Sequence, residues 1–176
     1  GLDESQKPSL SMLQQQPDEA ALVNGVRDKG GLLTLAIYRC KKPVIAAING
    51  AAVGVGATMT LAMDARFAST EARFGFVFGK IGVVPDACSS WFLPKIVGLP
   101  KAFEWVYSGE ILPADEALRH GLVNEVVAPE ELLERAHRFA AILTKARSPV
   151  STALTRQMMY RCSGAPDPWQ AHLIES

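Results

Sequence analysis

Three observations predict a mixed α/β fold with a helical C-terminal region. First, the apolar run Pro43-Val44-Ile45-Ala46-Ala47-Ile48 reads as a buried strand that ends at the turn signal Asn49-Gly50, and residues 57–63 beyond the glycines read as a buried helix. Second, residues 64–69 and 72–76 read as two further short strands. Third, Leu132, Leu133, Ala136, Phe139, Ala140 and Leu143 recur at helical spacing within residues 130–146.

The remaining elements follow from local signals. A run from Ser89 through Pro94 opens a helix, and residues 102–107 and 114–119 read as short helices. Pro113 introduces the second of these and Gly121 stops it. Ser148-Pro149 opens another helix that runs through Tyr160, and the chain closes at Glu175 in what reads as a helix. Residues 5–18 are polar and proline-bearing, with Gln14-Gln15-Gln16 inside, and read as a mobile loop. No internal sequence repeat and no linker divides the chain.

With 176 residues, 48% of them apolar, the chain can bury a sizeable core. Its formal net charge of zero steers it toward neither nucleic acid nor an anionic membrane surface. Lys41-Lys42 and Asp64 interrupt the best candidate for a membrane span. Cys40, Cys88 and Cys162 are odd in number and far apart, which suits reduced thiols and a cytoplasmic location. No signal peptide is visible, although a missing N-terminus would hide one.

The glycines of Gly54-Val55-Gly56 are the best place to look for chemistry. Between a strand and a helix they let backbone N–H groups approach a ligand, and the helix start adds its positive dipole end. Such a junction can serve as an oxyanion hole. A phosphate loop would need Lys-Ser/Thr after Gly56, where Ala57-Thr58 stands. A dinucleotide fingerprint would need Gly or Ala at Met59. Close packing at a strand–turn–helix corner is the bland alternative.

The order Pro-Val-Ile-Ala-Ala-Ile-Asn-Gly, Gly-x-Gly, Leu-Ala-Met-Asp, Ala-x-Phe-Gly, Gly-x-x-Pro and Gly-Leu-Val, running from Lys42 to about Ala153, resembles the crotonase (enoyl-CoA hydratase/isomerase) superfamily. That resemblance implies a spiral of ββα repeats over residues 1–122 and a helical region over residues 123–176. It implies an acyl-CoA thioester substrate with no cofactor beyond its coenzyme A, and an enolate held by two backbone N–H groups. A homotrimer or a pair of trimers is implied as well. Gly1-Leu2-Asp3 looks like the end of the family's Ala-Gly-x-Asp segment, which would make Leu2 one oxyanion donor and Val55 the other. The first strands of the spiral would then be absent, as in a partial chain.

The carboxylates distinguish the possible reactions. The two glutamates of the similar hydratases fall on Thr58 and Phe78, and neither side chain can do acid–base work at neutral pH. Thr58 and Phe78, together with Trp91, are expected to line the acyl pocket. Pro85-Asp86-Ala87-Cys88-Ser89-Ser90 resembles the Pro-Glu/Asp-x-x-Ser-Ser context in which some isomerases of the superfamily carry their proton-shuttling acid. Asp86 is therefore the candidate catalytic residue for a double-bond shift of Δ3,Δ2-enoyl-CoA type. The alternatives are a cap on the following helix, a nucleophile of dehalogenase or hydrolase type, an atypical hydratase-type lyase, and a non-catalytic acyl-CoA binding protein. Asp64 reads as structural. His120, His137 and His172 read as surface residues, and no metal site is indicated.

Overall fold

The computed structural model describes residues 28–175. Leu2 and the polar segment 5–18 lie outside them. Helix α1 (Lys29–Arg39) leads into β1 (Ile45–Ile48), the apolar run ending at Asn49-Gly50. The chain then turns into β2 (Ala51–Val53), a strand the sequence did not disclose. Three residues between glycines carry too short a pattern to be read, and pairing with a distant partner defines the strand. Helix α2 (Val55–Thr58) follows, and a 3-10 turn (Met59–Ala62) replaces the single helix expected over residues 57–63. Here the Thr60 hydroxyl donates to the Ala57 carbonyl at 2.7 Å, a local bond that competes with the α-helical ladder.

Next come β3 (Ala65–Ser69), β4 (Arg73–Gly75), α3 (Phe78–Ile81), α4 (Ser89–Val97) and α5 (Leu99–Ser108). After them lie β5 (Ile111–Pro113), α6 (Ala114–Arg119), β6 (Glu125–Val127), α7 (Leu132–Thr144), α8 (Pro149–Cys162) and α9 (Pro168–Glu175). One sheet has the order β1-β3-β6, parallel throughout. The other has the order β2-β4-β5, with β2 and β4 parallel and β5 antiparallel. β6 lies beyond residue 122, so the expected helical region also supplies a strand to the first sheet.

Successive coils stack directly. Ile45 registers with Ala65 in one sheet, and Ala51 with Arg73 in the other. The repeat is one of backbone geometry without a repeat in sequence. Ser69 Oγ donates to the Asn49 carbonyl at 2.7 Å and so ties one corner to the next. Alanines at 46, 52, 62, 68 and 72 are buried between coils, and Phe74, Phe76, Phe92 and Trp105 fill the space beside them. On the other side, α7 covers β1 and β3, with Phe139 packed edge-on to Phe67 at 5.3 Å between ring centroids.

The last helices are fastened by one guanidinium. Arg156 on α8 pairs with Asp64 at 2.8 Å and donates to the carbonyls of Ile37, Tyr38, Cys40 and Ala62. Those carbonyls close α1 and the 3-10 turn, where a helix runs out of internal donors and favours a cation. Asp64 also accepts from the Val44 N–H at 2.6 Å, in keeping with its structural reading. Burial first, and the Asp64 charge second, push the neighbouring Tyr160 hydroxyl up to about 12. Burial also pushes Arg66 down; its guanidinium is held by the carbonyls of Thr60, Met63 and Leu122.

Candidate active site

The β2–α2 junction is built to expose backbone. Gly54 donates the last ladder bond to the Gly75 carbonyl at 3.1 Å and takes φ +58°, ψ −126°, a conformation that favours glycine. Helix α2 then opens at Val55. Among the described residues neither the Val55 N–H nor the Gly56 N–H finds an acceptor. Val55 as a residue is 52% exposed. The donor expected at Leu2 lies outside the described residues.

Asp86 approaches from a second loop. It does not cap α4: the N-cap is Cys88 at φ +59°, with no side-chain cap bond, and Asp86 contributes its carbonyl to the Ser89 N–H at 2.8 Å. Ala87 is also left-handed, at φ +50°. Two adjacent non-glycine residues in that region cost about 1–3 kcal/mol each, a cost characteristic of functional loops. Asp86 as a whole is exposed, yet desolvation at its carboxyl, and then the Asp28 carboxylate, push it above the ordinary aspartate range. Its own backbone N–H opposes that shift. Burial and Asp28 likewise push the Cys88 thiol up.

The two loops meet at the start of α1. A Cβ placed on Gly30 would lie 3.3 Å from Val55 Cγ2 and 3.3 Å from Ala87 Cβ, so both segments pack on the same bare backbone. Asp28 stands beside it. Its Oδ1 accepts from the Gly30 N–H at 2.8 Å, and its Oδ2 accepts from the Gly31 N–H at 2.7 Å and the Ala87 N–H at 2.9 Å. Sequence reasoning missed Asp28. The signal was Asp-x-Gly-Gly ahead of an apolar helical run, a readable N-cap.

The other expected residues are dispersed. Thr58 is fully buried and turns its hydroxyl back to the Val55 carbonyl at 3.4 Å. Phe78 is part of the core. Trp91 lines a cavity of about 860 Å³ between the 3-10 turn, α4, α7 and α8, beside Leu61, Ile96, Leu143 and Met159. Asp86, Val55, Thr58 and Phe78 do not line that cavity. His120 is half-buried rather than at the surface, 3.0 Å from Glu116 Oε1 and edge-on to Trp105, whereas His137 and His172 are exposed. Among the described residues no group of His, Cys, Asp and Glu could hold a metal ion, and no helix is long and apolar enough to cross a membrane.

Stacked ββα coils, with backbone N–H groups at a glycine-rich helix start that find no acceptor among the described residues, define a crotonase-fold protein. The family model for enoyl-CoA hydratase/isomerase matches residues 11–173, and the chain belongs to that family. An enoyl-CoA hydratase of Alternaria alternata is 46% identical over 151 residues, 85% of this chain and 50% of its own length. The solved enoyl-CoA hydratase/isomerase from Cupriavidus metallidurans CH34 superposes with a TM-score of 0.78 at 36% identity, over 83% of this chain and 54% of that one. A monofunctional enoyl-CoA isomerase from M. smegmatis gives 0.71 at 33% identity, over 80% of this chain and 65% of that one. The chain spans about half the length of the curated relatives it matches.

Proposed function

We propose that this protein shifts a double bond in an enoyl-CoA thioester, with Asp86 as the single proton carrier. The observation that carries the reading is the meeting of the Asp86 loop and the Val55 helix start on Gly30. Asp86 takes a proton from C2 of a 3-enoyl-CoA, and electron density moves onto the thioester oxygen. That oxygen is held by the Val55 N–H and by a second donor assigned to Leu2. The protonated Asp86 returns the proton to C4, and the C3–C4 double bond becomes C2–C3. One acid that changes protonation state twice is sufficient. Coenzyme A enters as part of the substrate, and the assembly is a homotrimer or a pair of trimers.

Hydration is the second reading, favoured by relatives that carry hydratase names. It calls for carboxylates that hold water, and Thr58 and Phe78 supply none. Assays of a 3-enoyl-CoA for isomerisation and of a 2-enoyl-CoA for water addition separate the two. Asp86→Asn removes the proton acceptor at nearly constant size and should lower isomerisation by at least about a hundredfold, with acyl-CoA binding retained. Parent-rate isomerisation by that variant would refute the assignment.

A further inference from the structure

We infer that Asp28 is a positioning residue for Asp86, acting by holding the loop that carries it against the start of α1, on which Val55 also packs. This rests on the proposed function above. A helix cap needs only donors from its own first turn, and Gly30 and Gly31 supply those. Asp28 accepts a third bond from Ala87, a residue 59 positions away in the chain. That N–H belongs to the peptide joining Asp86 to Ala87. Any rotation of this peptide swings the Asp86 side chain, and the left-handed conformations of Ala87 and Cys88 give the loop no intrinsic reason to keep its shape.

The neighbouring glycines suit this role. A Cβ on Gly31 would sit 2.9 Å from Asp28 Oδ2, the oxygen shared between the α1 cap and the loop. A side chain on Gly30 would meet Asp28 Oδ1 at 3.0 Å and wedge between Ala87 and Val55. The segment Asp28-Lys29-Gly30-Gly31 thus places one carboxylate between the start of α1 and the Asp86 loop, next to the glycine on which Val55 packs. A charged acceptor holds an N–H more strongly than a neutral one does, which suits a loop held in a costly conformation.

Asp28→Ser separates capping from positioning. Serine caps a helix about as well as aspartate, but its hydroxyl is too short to serve the first turn of α1 and Ala87 together. Three readouts are needed: the melting temperature, kcat and KM on a 3-enoyl-CoA, and hydrogen exchange of the Ala87 amide. In the Ser variant Ala87 exchange should accelerate and kcat should fall, each by about tenfold or more, with KM and melting temperature close to the parent's. Asp28→Asn keeps one acceptor oxygen at the reach of Gly31 and Ala87 while losing the charge and the bond from Gly30, and should restore part of the kcat lost in the Ser variant. A Ser variant with parent kcat and parent Ala87 protection would overturn the inference, as would equal losses of rate and stability in the Ser and Asn variants. A parent protein that does not isomerise refutes the proposed function instead, and the hold on the loop is then judged by Ala87 exchange alone.

Discussion

Asp86 keeps its proton to higher pH than a free aspartate, through local desolvation and then the Asp28 charge. A base must be ionised, so kcat/KM should climb with pH along an acidic limb lying above the ordinary value of 3.8. Removing the Asp28 charge with Asn should move that limb to lower pH, a shift that a pH–rate series and an NMR titration of the Asp86 carboxyl would both record. The stability linkage has the opposite slope. Folding favours protonated Asp86, so its contribution is full below the unfolded-state value and is lost as pH rises through the raised one. Val55 offers a second measurement. It is the first residue of α2, where proline is tolerated, so Val55→Pro deletes one N–H with little cost to the helix. Turnover should drop by about a hundredfold or more in a variant of parent melting temperature. Val55 and Asp86 stand out in sequence because each sits in a short local motif. Asp28 does not, because its partner Ala87 belongs to another part of the chain and only the fold brings them together.

At the level of elements, strands β1, β3 and β4 and helices α4 to α8 announce themselves through apolar runs, periodicity and the Ser148 and Pro113 starts. Strands β2, β5 and β6 do not. Each is three residues long and exists because a neighbouring coil supplies its partner, which no local window reveals. Helix α3 has only four residues, and packing places it: a Cβ on Gly79 would lie 2.5 Å from the Tyr107 carbonyl oxygen and 2.9 Å from that of Val106, at the end of α5. Backbone cannot step aside as a side chain can. Gly79→Ala should therefore cost about 1–3 kcal/mol in spite of alanine's better helix propensity, measurable by urea unfolding. An unchanged midpoint would show that α3 and α5 can separate without penalty.

Across the whole molecule, α1 is gripped at both ends, by the Asp28 carboxylate at its start and the Arg156 guanidinium at its finish. Each charge has the sign that its helix end favours. Arg156→Ala would leave Asp64 without its ion-pair partner and several wholly or partly buried carbonyls without this donor, a loss of about 3–5 kcal/mol, to be read from thermal or denaturant unfolding. Lysine is a poor substitute, since a single ammonium cannot reach carbonyls spread over two elements. The grip also bears on the order of events in time. Arg156 arrives from a helix far along the chain, and the carbonyls it serves have no fixed arrangement until the coils have closed. Contacts between positions so far apart in the chain are expected to form after the folding transition state, and they would then govern how slowly the native state opens rather than how quickly it forms. In a chevron experiment the unfolding arm of Arg156→Ala should rise to account for nearly all the lost stability, while its refolding arm overlies that of the parent.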